Sequence, residues 1–337
     1  MVGTTPSAGR ADYVRPGRQP RRAPRVVAEP GTADPRPGQR KRKRRETLAA
    51  FGFLSPWLLG FSVFTAWPIF YSAYLAFTDY DVINDPNFVG VDNFTKLAED
   101  PKIATALANT FFYTLVQVPL YVIFALLLAV LLNTLGRGSG LFRTLLYLPK
   151  MTPPVAVGIL FLLLFNGRGV INQFLNLFDI TGPSWTTDAM WVKPGLIAMS
   201  LWSVGSSVLI LYAALRGVPK ELYESARLDG AGFWRQLTSV TVPLISPALF
   251  FVVIVITIAG LQTFDEAYTA FFGAGNSTYS NDAALFYVIY LFRQAFEYLH
   301  MGYASAMAWL LFGIIMGVTA VQLLVSRRLV YYEGESK

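Results

Sequence analysis

The 337-residue sequence has no cysteine and a single histidine, His300. Disulfide bonds and thiolate nucleophiles are therefore excluded, and a zinc site built from ordinary ligands is nearly excluded. The sequence also lacks the Gly-x-x-x-x-Gly-Lys-Ser/Thr pattern that cradles nucleotide phosphates. We predict that the chain has no catalytic residue, no metal site and no cofactor of its own, and that any nucleotide-driven step needs a separate polypeptide.

Charge is also scarce outside the N-terminal region. The chain is 54% hydrophobic and 15% charged, with a mean hydropathy of +0.44. Its net charge of +7 comes from the first 45 residues, which hold thirteen Lys or Arg against three acids, whereas the remainder carries a net −3. The body of the protein thus lacks the basic surface that nucleic-acid binding requires. Composition favours a membrane protein over a soluble multidomain enzyme.

The order of the segments predicts an all-α, polytopic membrane protein. Residues 1–45 are rich in Pro, Gly and Arg, and we predict a disordered basic cytoplasmic tail that is not a secretory signal peptide. Residues 46–330 are predicted to form the membrane domain, and 331–337 a short second tail. The membrane domain holds six apolar runs, each near the ~20 residues that span ~30 Å of hydrocarbon. They lie at about 48–76, 106–134, 141–165, 194–215, 244–264 and 302–326.

Basic residues predict which side of the membrane each loop occupies. Arg143 follows the second run, Arg216 the fourth and Arg327 the sixth, and the basic tail precedes the first. By the positive-inside rule both termini are cytoplasmic. Acids outnumber lysines in the loop at 77–105, which agrees with an outer location. The loop at 216–243 is therefore predicted to be cytoplasmic.

The residues of the loop predicted to be cytoplasmic indicate its secondary structure. Pro219 suits the first turn of a helix, Glu221 suits its positive end, and Gly230 suits the left-handed position just past its end. A short helix from about Pro219 to Asp229 is predicted, followed by a second short helix that Pro243 stops. The apolar side of the first helix would carry Leu222, Tyr223 and Ala226.

The same loop resembles the EAA loop of binding-protein-dependent ABC importers. It reads Glu224-Ser225-Ala226, three residues, Gly230, nine residues, then Val240-Thr241-Val242-Pro243. The flanking residues are similar to those of carbohydrate permeases of the maltose and glycerol-3-phosphate type, and the resemblance covers roughly residues 50–330. The alternative interpretation of the loop, without a coupling role, is an interfacial amphipathic helix that joins two spans.

The resemblance implies a type I ABC importer permease fold in the bacterial cell (inner) membrane. Its expected partners are a second permease subunit, two cytoplasmic ATPase subunits that bind ATP and Mg, and an external solute-binding protein. Transport of a sugar or sugar-like solute would proceed by alternating access. The residues expected to couple the permease to the ATPase are Leu222, Tyr223, Glu224, Ala226, Asp229, Gly230 and Pro243.

The resemblance also implies a solute site in the middle of the membrane. Lys150 follows Leu148-Pro149 inside the third run, where the family commonly has a neutral residue and where a charge is costly. Lys150 could face a cavity, or it could snorkel to the cytoplasmic interface. Pro153 and Pro154 should break this helix. The other tentative solute-binding residues are Ser200, Trp202, Ser203, Gln262 and Thr263.

Each of these positions has a structural alternative. Trp202 and its neighbouring serines could serve tight helix packing, and Asn109 and Gln117 are expected to make hydrogen bonds within the bundle. Asp265 and Glu266 are expected to mark the outer interface.

Alternatives to a sugar importer also stay open. An anionic polyol such as a glycerophosphodiester is the alternative solute, which Lys150 would favour. A secondary transporter would need carboxylates well inside the spans, and a membrane enzyme would need clustered acids or histidines. We find neither pattern in the sequence.

Overall fold

The computed structural model describes residues 37–272 and 282–330, together with Gly3. The chain divides into two units, residues 1–65 and 66–337. The first unit contains helix α1 (Pro37–Phe61), in which the rings of Trp57 and Phe61 stack with centroids 5.5 Å apart. A π-helical turn at Ser62–Ala66 follows α1.

The described part of the second unit contains helices and one short strand pair. Strand β1 (Thr78–Asp79) pairs antiparallel with β2 (Asn87–Phe88). The helices are α2 (Trp67–Leu75), α3 (Asp92–Glu99), α4 (Pro101–Thr134), α5 (Ser139–Tyr147), α6 (Pro154–Phe165), α7 (Val170–Asn176), α8 (Ala189–Trp202), α9 (Gly205–Gly217), α10 (Lys220–Leu228), α11 (Phe233–Gln236), α12 (Val242–Leu244), α13 (Ser246–Leu261), α14 (Asp265–Phe271), α15 (Tyr287–Phe292) and α16 (Met301–Leu329).

The expected all-α membrane architecture is confirmed. In the described part of the chain, five helical stretches are long and apolar enough to cross a membrane, and α8 with α9 makes a sixth if that bent pair is one span. The third span differs from the sequence prediction of 141–165. Its helix is interrupted after Tyr147 and resumes at Pro154, so that the apolar stretch is Pro154–Asn176.

The tails lie largely outside the described residues. This holds for 331–337 and for the predicted disordered segment up to residue 36, apart from Gly3. Helix α1 begins at Pro37, so the last part of the segment predicted as disordered is helical. Proline suits a first helical turn, and the Gln, Arg and Lys residues that follow are good helix formers.

Helix α4 contributes buried residues to three hydrophobic clusters, and two of them lie along its length beyond Ala106. The first cluster joins α4 to α6, α8, α14 and α15, with Tyr113, Phe161 and Phe286 among its members. The second joins α4 to α9 and α13, with Tyr121 and Leu211 among its members. The two clusters share no buried residue, and α4 is the helix that contributes to both. Helix α4 is therefore the element against which the rest of this part of the fold packs.

The carboxylate of Asp100 ties three helices together at the start of α4. One oxygen accepts the backbone N–H of Lys102 at 2.8 Å and so caps α4, while the other accepts the hydroxyls of Tyr290 at 2.6 Å and Tyr303 at 2.9 Å. Burial alone would raise the pKa of Asp100, but these hydrogen bonds outweigh it and lower the pKa below its usual value. Asp100 is thus an ionised clamp between α4, α15 and α16 at neutral pH.

Gly205, the first residue of α9, lets this helix touch the end of α5. A Cβ atom at Gly205 would run into the carbonyl of Leu146, whereas a Cβ atom at Gly317 would meet nothing within 4 Å. We expect Gly205→Ala to lower the free energy of unfolding by about 1–3 kcal/mol, because the contact is with backbone that cannot rotate away. Gly317→Ala should have no such effect. Thermal unfolding of the two detergent-solubilised variants measures the difference, and equal midpoints would contradict this packing.

Candidate functional site

Three helices are broken at the same level of the second unit. The first break lies between α5 and α6, where a 3₁₀ turn at Leu148–Met151 is followed by the extended residues Thr152 and Pro153. The second is the 53° bend between α8 and α9. The third is the stretch 262–264 between α13 and α14. Each break frees backbone groups from the helical ladder, and such groups need protein or water partners at membrane depth.

Local sequence explains the first break. Pro153 and Pro154 have no N–H to donate, and Pro154 takes the first position of α6, where none is needed. The prediction that these prolines break the helix is confirmed. At the second break, Gly205 fits against Leu146 at the end of α5, so the first and second breaks lie side by side.

The three breaks and α4 enclose a cavity of about 400 Å³. A cavity of this size at the level of broken helices is suited to a small polar molecule. Lining side chains that can form hydrogen bonds or carry charge come from all three breaks and from the face of α4 opposite to them. They are Tyr113, Gln117, Tyr121, Lys150, Thr152, Ser200, Ser203, Gln262, Thr263, Asp265 and Glu266.

Five of the six predicted solute-binding residues line this cavity: Lys150, Ser200, Ser203, Gln262 and Thr263. The sixth, Trp202, does not line it and is 57% exposed. Ser200 and Ser203 are three residues apart and share one face of the helix, and a residue between them necessarily points elsewhere. The prediction for Trp202 is therefore corrected.

The hydroxyl groups of Ser200 and Thr263 are each held by a carbonyl of the preceding helical turn. Ser200 donates to the carbonyl of Ile197 at 2.7 Å, and Thr263 donates to the carbonyl of Gly260 at 2.9 Å. A hydroxyl that has donated its hydrogen keeps oxygen lone pairs as acceptors. These residues can therefore accept hydrogen bonds from a solute, while the ammonium of Lys150 and the amide of Gln262 can donate to one.

Other lining residues were not predicted from the sequence. Asp265 and Glu266 were expected at the outer interface, but both line the cavity. Gln117 was expected to bond within the bundle, but it lines the cavity and its Oε1 has no hydrogen-bond partner among the described residues. Asn109 does bond within the bundle as expected, donating to the carbonyls of Asp282 at 2.8 Å and Leu285 at 3.0 Å. The spacing Tyr-x-x-x-Gln-x-x-x-Tyr on α4 was the available signal.

The loop after α9 forms a helix, an elbow and a second helix, as predicted. Gly230 has φ +77°, the left-handed conformation that favours glycine. Its N–H donates to the carbonyl of Arg227 at 3.0 Å, and the N–H of Ala231 donates to the carbonyl of Ala226 at 2.9 Å. This pair of bonds is the Schellman motif, which ends a helix at a left-handed residue. Asp229 is the C-cap, so the end of α10 is fixed by backbone geometry.

A side-chain bond braces α10 against the segment after the elbow. The hydroxyls of Tyr223 and Thr241 lie 3.0 Å apart and share a hydrogen bond. Tyr223 and Ala226 are half-buried, whereas Glu224 is exposed. Leu222 and Leu228 are also exposed, at 43% and 90%. The helix thus turns one side to its own chain and leaves apolar side chains on another side uncovered.

Pro243 does not stop the second helix, contrary to the prediction. Helix α11 passes into a π-helical turn at Leu237–Thr241, α12 contains Pro243, and α13 begins at Ser246. Proline removes one bond from the ladder, and the change to π spacing lies immediately before it. The chain therefore runs from the elbow into α13 through a nearly continuous helical path.

Comparison with known proteins places these features in context. The sequence profile of a family described as "binding-protein-dependent transport system inner membrane component" matches residues 121–331. The chain is 38% identical over 300 residues to the probable ABC transporter permease protein YesP of Bacillus subtilis (strain 168), covering 87% of this chain and 95% of that protein. It is 34% identical to the lactose transport system permease protein LacF of Rhizobium radiobacter, covering 76% and 88%.

A solved structure is similar in fold. One chain in the crystal structure of a bacterial alginate ABC transporter, in complex with an alginate pentasaccharide-bound periplasmic protein, matches with a TM-score of 0.74 and 21% identity. The match covers 85% of this chain and 96% of that chain.

Proposed function

Because this chain belongs to the binding-protein-dependent transport system inner membrane components, we propose that it is the permease subunit of an ATP-driven importer for a sugar. The observation that carries the proposal is the cavity at three helix breaks, on a chain that also presents a helix–elbow–helix loop with exposed apolar residues. The cavity offers a place for a solute, and the loop offers a surface for a motor.

The mechanism that fits this arrangement is alternating access. A cytoplasmic ATPase subunit would seat α10 in a cleft, and Leu222 and Leu228 would pack against it. A solute-binding protein on the opposite side of the membrane would deliver the solute, and a second permease subunit would complete the pore. The similar alginate transporter was crystallised with a periplasmic protein, which supports the binding-protein partner. Both termini and the loop at 216–243 would be cytoplasmic.

The charges of the cavity favour a neutral solute over an anionic one. Lys150 is the cationic lining residue, and Asp265 and Glu266 are carboxylates that line the same cavity. An anionic solute would meet the carboxylate of Asp265 at close range, where like charges repel. A polyhydroxylated neutral solute can use all three side chains as hydrogen-bond partners.

Replacing Gly230 tests the coupling role of the loop. A Cβ atom at Gly230 would meet nothing within 4 Å, so Gly230→Val acts through its backbone conformation alone. Left-handed backbone costs a non-glycine residue about 1–2 kcal/mol, and more when it is β-branched. We expect solute uptake by the complete transporter to be lost while the variant stays in the membrane at normal amounts.

Gly232 provides the matched control for this test. It lies in the same loop with equally open space but a φ of −71°. Gly232→Val should keep most of the uptake. Equal uptake by both variants would overturn the coupling role.

Replacing Lys150 tests the solute site. If the ammonium donates hydrogen bonds to solute hydroxyls, Lys150→Ala should slow uptake by about 10- to 100-fold, the range for one charge-assisted hydrogen bond. ATP hydrolysis by the complete transporter should change much less. Uptake of radiolabelled neutral disaccharides and of glycerol-3-phosphate, measured in parallel, separates the two solute classes. Unchanged uptake would mean that Lys150 serves only the membrane interface.

A further inference from the structure

Helix α4 presents a stripe of three polar-tipped residues to the cavity. Tyr113, Gln117 and Tyr121 are spaced by four residues, so they lie above one another on one face of α4. Tyr113 belongs to the first hydrophobic cluster and Tyr121 to the second. Gln117 lies between the clusters, at the level of the three breaks. An amide between two aromatic rings is thus placed opposite the residues of the proposed solute site.

The two rings of the stripe are fixed in place. Tyr113 packs edge-on against Phe286, with ring centroids 5.3 Å apart. The Tyr121 hydroxyl donates to the carbonyl of Ser203 at 3.4 Å and accepts from Ser207 at 3.5 Å. Both tyrosines are 4% exposed. The bond to Ser203 links the stripe directly to the bend between α8 and α9.

The amide oxygen of Gln117 is left unsatisfied within the described residues. The residue is 6% exposed, and its Oε1 is buried without a hydrogen-bond partner among the described residues. The Oε1 lies against α13, because a Cβ atom at Gly260 would be 3.1 Å from it. Burying an amide oxygen without a partner is unfavourable, and an apolar residue of the same shape would be more stable. Position 117 therefore carries an amide oxygen that makes no hydrogen bond within the described fold.

A solute in the cavity can use that group. The terminal torsion of glutamine is broad and roughly two-fold, so the amide can turn either its oxygen or its NH₂ towards the cavity at little cost. The hydroxyls of a sugar can pair with this amide. The two tyrosines beside it are each 4% exposed, so they contribute only a small part of their surface to the cavity wall.

We propose that Tyr113, Gln117 and Tyr121 form a sugar-ring subsite on α4, in which the Gln117 amide accepts a hydrogen bond from a hydroxyl of the transported carbohydrate. The proposal rests on the proposed function, because it names the helix that would recognise the sugar. It makes Gln117 a specificity-determining residue.

A purely structural glutamine would behave in the opposite way on substitution. If the amide stabilised the bundle, removing it would lower the unfolding temperature. If it serves the solute, Gln117→Leu should leave the unfolding temperature of the solute-free protein unchanged or raise it, while uptake of the sugar falls about tenfold, the value of one hydrogen bond. The measurements are thermal unfolding and uptake of radiolabelled lactose, maltose and cellobiose by the complete transporter.

Gln322 supplies the matched control. Its Oε1 is likewise buried without a partner among the described residues, but its Nε2 donates to Thr257 at 2.9 Å and it does not line this cavity. Gln322→Leu should leave uptake unchanged. Equal loss of uptake in both variants, or unchanged uptake in Gln117→Leu, would overturn the subsite.

A labelling experiment separates the subsite from the proposed function. The chain has no cysteine, so Gln117→Cys and Gln322→Cys each carry one thiol. In membranes containing the complete transporter, 2-aminoethyl methanethiosulfonate should modify Gln117→Cys and spare Gln322→Cys, and a transported sugar should slow the modification several-fold. If wild type imports none of the three sugars, the proposed function fails for them. In that case, failure to modify Gln117→Cys would separately show that the position does not face the cavity.

Discussion

Backbone N–H and C=O groups inside a bilayer need hydrogen-bond partners, and the architecture of this chain depends on how that constraint is met. Three helices are interrupted at one level, and residues of all three interruptions line a common cavity. Helix α4 passes the same level unbroken and supplies the opposite wall. Gly205 and Gly260 permit close helix contacts beside the breaks. A Cβ atom at Gly205 would run into the backbone of Leu146, and one at Gly260 would lie only 3.0 Å from the side chain of Thr114. Polar side chains can therefore gather at membrane depth.

The same breaks connect the cavity to the loop. Helix α9 runs from the bend at the cavity to the start of α10, and α13 runs from the far end of the loop to the break at 262–264. The elbow at Gly230 and the bond between Tyr223 and Thr241 hold the two ends of the loop together. A displacement of α10 by a motor would thus be carried by two helices to two sides of the cavity. The proposed coupling to an ATPase requires such a connection.

Local chemistry decided which features could be predicted from the sequence. The break at Pro153 and the elbow at Gly230 were predicted because a missing N–H and a left-handed conformation are properties of single residues. The directions of Trp202 and Gln117 depend on how a helix is rotated in the bundle, and a nearly all-apolar span gives no periodic signal for that rotation. The prediction that Pro243 stops the second helix was wrong because a π-helical turn directly before this proline accommodates it. Five of the six predicted solute-binding residues line the cavity because they lie at the breaks themselves.

The central claim is that the loop of an otherwise membrane-embedded chain receives force from a separate ATPase. Leu228 is 90% exposed on α10, and Ile83 is 79% exposed in the loop predicted on the other side of the membrane. Benzophenone maleimide attached to Leu228→Cys, in membranes with the complete transporter, should cross-link this chain to the ATPase subunit on illumination. The same probe on Ile83→Cys should not. Absence of the ATPase from the products of Leu228→Cys, or its equal presence in both, would contradict the account.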